Sequence, residues 1–416
     1  MERKKILCLF ANEFPYGGWE AYLETEIGYY RAFDLVYVFS LQLRHEHAET
    51  IRPLPDNFRV FPVYYASDLT YIMNAFRALF DRNLYRELFA LLKTKRFSVR
   101  TVTELFVYLS RAHYETRILL RSVGKADFEN ADALFYSYRF EYQPYVALLM
   151  RKKLRLDCEI VARAHRYDLY ENVKKSGYIP CRPVLLKELA RVYPCSEDGA
   201  RYLAGKYPAY KEKISPRFLG TRDRGVGPAP AHSGTYQLVS CSHAVPVKRL
   251  DLIVSALSLL PKDVRVHWTH YGDGPVLPEI KAEAARLPEN ISVSFPGNVP
   301  NAELMKIYAK TPYDLFLNVS SSEGIPVSIM EVNSFGIPCI ATDVGGTREM
   351  VSEENGCLLP ADCTAEQIAA AIRNLLSLPS EEYNALRART RKRWQEKFDS
   401  ATNYRAFISE LVSMLK

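Results

Sequence analysis

The sequence predicts an α/β protein with two domains, each built around a parallel sheet, and three observations support this. The chain has 416 residues, more than a single hydrophobic core usually serves. Short apolar runs alternate with helical patterns in both halves, as they do in βα units. Between the halves, residues 221–235 are rich in Gly and Pro and lack any periodicity, which is typical of a linker.

The apolar runs locate the strands of the two predicted sheets. In the first half we expect strands at residues 6–11, 35–39, 133–138, 159–164 and 191–195. In the second half we expect them at residues 236–241, 264–271, 313–319, 338–341 and 357–359, with a helix over 248–260. A charged helical region covers residues 380–416. Two α/β halves of this kind bind a ligand in the cleft between them, at the carboxyl ends of their strands.

Composition and cysteine spacing narrow the class of protein. No apolar run reaches eighteen residues, so no transmembrane helix is predicted, and the N-terminal apolar stretch is too short for a signal peptide. The eight cysteines are scattered and form no C-x-x-C pair, which argues against a zinc site and a disulfide framework. We therefore expect a protein of the reducing cytoplasm, without a cofactor.

The net charge of +7 is concentrated in one segment. Residues 74–125 contain eleven Lys and Arg against four acids, and the difference, 11 − 4 = +7, equals the whole excess. Apolar residues such as Phe76, Phe80 and Leu84 recur there at mostly helical spacing. This pattern fits peripheral contact with an anionic membrane, or a solvated helix whose apolar side lies in the core. Nucleic acid is not an expected partner, because the carboxylates of the ligand cleft would repel its phosphates.

Two glutamates flank a predicted helix start at residues 320–331, which read S-S-S-E-G-I-P-V-S-I-M-E. Pro326 suits the first helical position, so Glu323 lies in the preceding loop and Glu331 about one and a half turns into the helix. The backbone N–H groups of residues 324–328 and the helix dipole form a candidate anion site. A diphosphate fits there, with each carboxylate accepting hydrogen bonds from vicinal hydroxyls. The alternative is one loop acid and one ordinary helix acid.

A second strand-to-helix turn carries cationic groups. It reads V-S-C-S-H-A-V-P-V-K-R-L, with Lys248 expected at the start of the helix beside His243. Such groups can clamp a diphosphate. A lysine at a helix start is more often simply solvated, so this turn gains weight only in combination with the glutamate pair.

These motifs resemble those of the retaining glycosyltransferases of family four, which have the GT-B architecture of two Rossmann-like domains. S-E-G-I-P-V-S-I-M-E resembles the signature of the family, and V-P-V-K resembles the motif with its diphosphate-binding lysine. P-Y-G-G-W-E is similar to the family's glycine-rich loop. Its first-domain histidine motif resembles V-A-R-A-H-R-Y-D, and its returning C-terminal helix R-W-Q-E-K-F-D. The resemblance implies an acceptor domain at 1–220, a linker at 221–235, a nucleotide-sugar domain at 236–395 and a helix returning to the first domain at 396–416.

The resemblance also implies roles for individual residues. Glu323 would lie by the donor sugar, Glu331 would bind the nucleotide ribose, and Lys248 would hold the donor diphosphate. His165 would face the donor sugar and the acceptor, and the backbone near Val299 would face the base. The predicted catalytic residues are thus His165, Lys248 and Glu323, and the predicted donor-binding residues are Gly17, Gly18, His243, Val299, Gly324, Ile325, Val327 and Glu331.

The sequence departs from the family pattern at two positions. His243 stands where the family has a diphosphate-binding arginine, and a histidine is mostly neutral at pH 7. Trp19 replaces the third glycine of the N-terminal loop. It takes room from a loop that relies on close backbone approach, or it stacks on an acceptor sugar.

The expected function is hexosyl transfer from a nucleotide sugar, with UDP as the expected nucleotide, to a glycan or lipid-linked acceptor of the cell envelope. The resemblance implies a front-face mechanism that retains configuration. Without a D-x-D-like cluster, Lys248 and the helix dipole would act in place of a metal. A non-catalytic GT-B subunit is the alternative that His243 and Trp19 favour. A sugar-nucleotide epimerase shares the fold but would need acid and base groups that the sequence does not offer.

Overall fold

A computed structural model of the chain describes residues 3–20, 22–231 and 234–416. The chain forms two compact units. The first consists of Met1–Arg217 together with Tyr404–Lys416, and the second of Phe218–Asn403. Each is an α/β unit, so the predicted fold class is confirmed.

The described residues contain two sheets of six strands, and every strand pair is parallel. The strands of the first unit are β1 (Lys4–Ala11), β2 (Leu35–Leu43), β3 (Phe58–Tyr64), β4 (Ala131–Ser137), β5 (Glu159–Ala164) and β6 (Arg191–Pro194). Those of the second unit are β7 (Thr235–Cys241), β8 (Arg265–Tyr271), β9 (Ile291–Gly297), β10 (Leu315–Asn318), β11 (Cys339–Thr342) and β12 (Gly356–Leu359). The strand orders are 3-2-1-4-5-6 and 12-11-10-7-8-9. Both are the Rossmann order, with a reversal at β1/β4 and at β7/β10.

The helices connect the strands and cover the sheets. Those of the first unit are α1 (Leu23–Glu26), α2 (Asp68–Asn74), α3 (Arg82–Lys93), α4 (Val99–Leu119), α5 (Gln143–Leu154), α6 (Arg166–Leu169), α7 (Arg182–Glu188) and α8 (Glu197–Lys206). They are followed by α9 (Leu250–Ser258), α10 (Leu277–Ala284), α11 (Asn301–Lys310), α12 (Val327–Ser334), α13 (Ala365–Leu376), α14 (Ser380–Lys397) and α15 (Ser400–Ser413). In the described part of the chain, none of these helices is both long and apolar enough to cross a membrane.

Both faces of the first sheet are buried, as a parallel sheet requires. One face packs under helices such as α4, α5 and α7. The other face is covered partly by the end of the chain, where Phe407 lies 5.5 Å from the ring of Tyr136 and 5.2 Å from that of Tyr193. The C-terminal segment therefore completes the core of the first unit.

Two strands and one helix start differ from the predicted pattern. The strands β3 and β9 were not predicted; both are edge strands that contain a proline, Pro62 and Pro296, so their apolar runs are interrupted. The helix expected from residue 248 begins instead at Leu250. Lys248 ends a 3-10 turn, and Arg249 then adopts a left-handed conformation with a φ of 50°.

The stretch predicted as a linker, residues 221–235, belongs to the second unit. Its described part is held along α14, where the indole of Trp394 donates to Thr221 Oγ1 over 2.8 Å and Arg391 pairs with Asp223 at 2.5 Å. Residues 232 and 233 of this stretch lie outside the described residues.

Candidate active site

Two strand-to-helix turns meet at the carboxyl ends of the neighbouring strands β7 and β10. The backbone N–H of Ser321, in the turn after β10, donates to the carbonyl oxygen of Val247 over 2.8 Å. In the opposite direction, Arg249 Nε donates to the carbonyl oxygen of Val319 over 2.6 Å. These bonds fix the two turns to each other, so the side chains that the turns carry share one site.

The site holds an ion pair between two of the predicted catalytic residues. Lys248 Nζ lies 2.6 Å from Glu323 Oε1, and their side chains are 23% and 11% exposed. The lysine is thus oriented by the carboxylate and remains within reach of a ligand. A charge-assisted contact of this length is stronger than a neutral hydrogen bond.

The helix α12 begins beside this pair. Pro326 caps it and Val327 is its first residue, so the N–H groups of Val327 and Ser328 lack acceptors within the helix. The glycines after β11 brace the loop: Gly346 N–H donates to the carbonyl oxygen of Gly324 over 2.7 Å. Gly345 has a φ of +54°, and a Cβ atom there would lie 2.2 Å from the Glu323 carbonyl oxygen. Only glycine fits at this position.

Glu331 lies further along α12 and is bonded to a residue that the sequence did not single out. Asn301 Nδ2 donates to Glu331 Oε1 over 2.6 Å. Burial raises the pKa of Glu331 to about 7, while the bond from Asn301 and the charge of Arg224 act in the opposite direction. Asn301 begins α11, two residues after Val299, so the carboxylate is tied to the loop that was predicted to face a base. In the sequence, the available signal was an asparagine two residues after Val299.

His243 lies in the same turn as Lys248. It is exposed, and its side chain has no partner among the residues that the structure describes. Its backbone carbonyl oxygen accepts a hydrogen bond from the N–H of Val245 over 2.9 Å. The imidazole is therefore free to turn toward a bound anion.

His165 belongs to the first unit, at the carboxyl end of β5. Its Nε2 lies 3.1 Å from the carbonyl oxygen of Tyr138, and its Nδ1 lies 3.4 Å from Cys195 Sγ. Burial, followed by the charges of Arg139 and Arg163, lowers the pKa of His165 well below its usual value. The ring is neutral, with Nε2–H donating to the backbone. Both ring nitrogens already have partners within the unit, so a role toward a sugar stays a prediction.

The glycine-rich loop after β1 folds around its own carboxylate. The Glu20 carboxylate accepts hydrogen bonds from the backbone N–H groups of Asn12, Glu13 and Phe14 over 3.0, 3.3 and 3.2 Å. Arg139 Nε donates to the same carboxylate over 3.3 Å. Three successive amides of this kind form an anion-binding nest, and here an internal anion fills it. Gly17 permits the turn with a φ of +57°, and Gly18 is exposed beside it.

A cavity of about 480 Å³ opens beside this loop, at the carboxyl ends of β1 and β2. Trp19 is 51% exposed and forms part of its wall. The Arg44 guanidinium lies 5.8 Å from the Trp19 ring centroid, and that of Arg111 lies 4.5 Å from the ring of Tyr142. The remaining lining residues are Asn12, Glu13, Gln42, His45, Glu46 and Tyr65. An aromatic face surrounded by amides and cations suits a hydroxyl-rich ligand.

The described side chains do not form a cluster that could bind a metal ion. Within residues 3–20, 22–231 and 234–416, no three His, Cys, Asp or Glu side chains are placed to hold a metal ion together.

Solved structures share the fold of this chain. The chain aligns over 99% of its length with all of Anabaena Alr3699/HepE, a structure in complex with UDP and glucose, at a TM-score of 0.65 and 17% identity. It aligns over 98% of its length with 99% of the apo lipopolysaccharide outer core galactosyltransferase WaaB, at a TM-score of 0.68 and 14% identity. The two Rossmann-like units are those of a GT-B protein.

Part of the chain also matches a known family by sequence. Residues 228–393 match the family described as glycosyl transferases group 1. A putative colanic acid biosynthesis glycosyltransferase of Escherichia coli K12, WcaL, is 25% identical over 260 residues, which cover 61% of this chain and 63% of the relative. The O-antigen biosynthesis glycosyltransferase WbnH of Escherichia coli is 33% identical over 124 residues, which cover 30% of this chain and 33% of the relative. The chain thus spans between one third and about three fifths of the curated relatives named here.

The Glu20 nest yields a prediction about stability. Replacing Glu20 with Ala should lower the free energy of unfolding by about 3–5 kcal/mol, because it empties the nest and leaves Arg139 without its carboxylate. Chemical denaturation measures this. The matched control is Glu24→Ala, which removes an exposed carboxylate paired with Arg52 at 3.1 Å and should cost about 1 kcal/mol or less. Equal losses in the two variants would contradict the role of the nest.

Proposed function

We propose that this chain is a retaining glycosyltransferase that moves a hexosyl group from a nucleotide sugar, with UDP as the nucleotide, to a glycan or lipid-linked acceptor in cell-envelope polysaccharide assembly. The observation that carries the proposal is the Lys248–Glu323 pair beside the N-terminus of α12. The relatives named above, which carry colanic acid and O-antigen glycosyltransferase names, support the same direction.

Each part of a nucleotide sugar has a partner in the second unit. The diphosphate lies against Lys248 and the N–H groups from Gly324 to Ser328, where the helix dipole adds positive potential. The ribose hydroxyls donate to Glu331, whose second hydrogen-bonding partner, Asn301, holds it in place. The base lies against the backbone near Val299. Glu323 accepts from the donor sugar while it keeps Lys248 in position.

The chemistry follows from the charge that develops. The bond between the anomeric carbon and the diphosphate oxygen breaks, and a bond to an acceptor hydroxyl oxygen forms on the same face of the sugar. The proton of that hydroxyl passes to the departing diphosphate. Lys248 and the helix amides stabilise the growing negative charge, so we propose that no metal is required. Glu323 is already engaged by Lys248, which supports a binding role for it rather than nucleophilic attack.

The acceptor occupies the first unit in this proposal. The cavity beside Trp19 offers a ring face for stacking and the side chains of Gln42 and Arg44 for hydrogen bonds. His165, kept neutral by burial, orients a hydroxyl of the donor sugar or the acceptor.

We also propose that the protein works in the cytoplasm, in peripheral contact with a membrane through residues 74–125. The concentration of the whole net charge in that segment supports this contact. A membrane-anchored acceptor would then be delivered to the same surface.

A donor screen tests the proposed function. Thermal shift and donor hydrolysis are measured with UDP-, GDP-, ADP- and dTDP-sugars, with and without EDTA. Stabilisation by a UDP-sugar and slow release of UDP, unchanged by EDTA, are expected. Binding without any release, even with membrane extract as acceptor, would favour a non-catalytic sugar-binding subunit. The exposed His243 in place of an arginine is the observation on the side of that second candidate.

Lys248 is the first residue to replace. Lys248→Ala should lower transfer by about 10²–10³-fold, because the developing charge on the diphosphate loses its cation. Lys306→Ala is the matched control, since Lys306 pairs with Glu303 at 2.7 Å on the exposed side of α11, and it should keep wild-type activity. Full activity in Lys248→Ala would remove the basis of the proposed mechanism.

Glu331 should make donor binding depend on pH. With a pKa of about 7, the group is mostly a carboxylate at pH 8 and mostly protonated at pH 6, where it is a poorer acceptor for the ribose hydroxyls. Affinity for the donor should therefore fall about tenfold from pH 8 to pH 6. Titration calorimetry with the intact nucleotide sugar measures this affinity. The intact donor has no terminal phosphate, so no phosphate of the ligand changes its charge between pH 6 and pH 8.

The control for this pH dependence is Glu331→Gln. It should bind the donor weakly at both pH values and lose the fall toward pH 6. An unchanged pH profile in Glu331→Gln would assign the effect to another group.

Trp19 should act on the acceptor alone. Trp19→Ala is expected to raise the acceptor KM about tenfold through lost stacking, while donor hydrolysis stays unchanged. Trp19→Phe keeps a ring and should restore most of the acceptor affinity. Steady-state kinetics with varied acceptor measures both, and an unchanged acceptor KM in Trp19→Ala would place the acceptor elsewhere.

A further inference from the structure

One segment of the first unit carries a concentration of exposed apolar side chains. The structure describes twenty large apolar residues as exposed, and eleven of them fall between residues 69 and 99. These eleven, which we call the apolar ridge, are Leu69, Ile72, Met73, Phe76, Leu79, Phe80, Tyr85, Phe89, Leu92, Phe97 and Val99. A concentration of exposed apolar side chains of this kind marks a contact with another molecule or with lipid.

The ridge arises because its helices have two apolar faces. In α3, Leu84 and Leu91 are buried, at 1% and 2% exposure. Tyr85, Phe89 and Leu92 recur at spacings of four and three residues on another face, at 57%, 69% and 58% exposure. A surface helix needs only one apolar face for its own core. The second face is therefore available to a partner outside the unit.

A basic groove of about 1600 Å³ adjoins the ridge, and Phe76 and Phe80 line both. Six exposed cations line this groove without an acidic partner among the described residues, namely Arg82, Arg86, Lys152, Lys153, Arg155 and Lys187. They come from α3, from α5 with the residue that follows it, and from α7, so three separate helices contribute. Four of the six lie outside residues 74–125 in the sequence, and only the fold brings them to this surface.

The acids of the groove form their bonds with groups other than these six cations. Asp81 is bonded to Tyr145 at 2.7 Å and to His113 at 2.8 Å. Glu87 accepts from Tyr178 over 2.7 Å, and Glu188 pairs with Arg151 at 3.1 Å. None of the three carboxylates pairs with one of the six cations, and the nine Lys and Arg side chains that line the groove outnumber its three acids, so the groove carries a net positive charge.

We propose that the ridge and the groove form one docking surface for a bilayer that contains anionic lipids. The apolar side chains enter the interface between headgroups and acyl chains, and the cations of the groove hold lipid phosphates. An anionic bilayer matches both the charge of the groove and the apolar ridge. Nucleic acid would match the cations but would leave the apolar ridge exposed to water. The inference rests on the membrane contact proposed above. It adds the class of lipid, and it gives the apolar ridge the role of insertion and the cations of the groove the role of binding phosphate.

Vesicle cosedimentation tests the docking surface. The full chain is mixed with vesicles of phosphatidylcholine alone, or with about one third phosphatidylglycerol. Wild type should bind the anionic vesicles, and less so at about 1 M than at about 0.1 M salt. Arg82→Glu/Arg86→Glu should weaken binding at least about tenfold through charge. Phe80→Ser/Phe89→Ser should do the same through lost apolar burial.

Matched controls lie on the second unit. Lys262→Glu/Lys310→Glu reverses two exposed cations, and Leu259→Ser replaces a residue of 49% exposure; both should bind like wild type. Thermal shift with the donor separates this inference from the proposed function. Vesicle binding without donor binding would leave the docking surface standing and remove the transferase, and donor binding without vesicle binding would do the reverse.

Three results would overturn the docking surface. The first is equal binding of wild type to neutral and anionic vesicles. The second is competition by inorganic phosphate at about 10 mM, which would make the groove a site for a soluble anion. The third is a dimer in sedimentation velocity that Phe80→Ser/Phe89→Ser dissolves while vesicle binding is absent, which would assign the ridge to a second copy of the chain.

Discussion

The candidate active site depends on the reversal of strand order between β7 and β10. At such a point the connections from two neighbouring strands leave toward opposite faces of the sheet, and a crevice opens at the strand ends. The turn after β7 brings Lys248 into it, and the turn after β10 brings Glu323 and the start of α12. The hydrogen bonds between the two turns hold the backbone that carries Lys248 in place. Little reorganisation is therefore needed when an anion binds.

The first unit has the same strand order, but the backbone N–H groups at its crevice are already bonded to a side chain of the protein. At the end of β1, three backbone N–H groups converge as they would on a phosphate, but the Glu20 carboxylate occupies them and Arg139 neutralises it. The same topology thus yields an open anion site in one unit and a closed one in the other. This difference supports the proposal that a diphosphate binds in the second unit and that an uncharged or hydroxyl-rich group binds beside Trp19 in the first.

The sequence predicted the features that depend on local pattern. Apolar runs located the strands that lie inside the sheets, and the Pro326 helix start located Glu323 and Glu331 relative to α12. It missed β3 and β9, because edge strands tolerate prolines and polar residues that break the apolar run. It could not give the bonds of Asn301 to Glu331 or of Glu20 to its nest. Those contacts depend on the left-handed turns and on the register between loops, which no short-range pattern encodes.

The helix α4 connects the two surfaces of the first unit and bears on the choice of acceptor. Arg111 lines the cavity beside Trp19, whereas His113 and Arg117, two and six residues further along the same helix, line the basic groove. A ligand with a sugar in the cavity and a phosphate in the groove would therefore contact both ends of one short stretch of helix. A lipid-linked sugar has this arrangement, with the phosphate between the sugar and an acyl tail that the apolar ridge can accompany into the bilayer. A free glycan would use the cavity alone and would give the unpaired cations and the second apolar face of α3 nothing to bind. Among the acceptors that the proposed function allows, the lipid-linked one accounts for both surfaces.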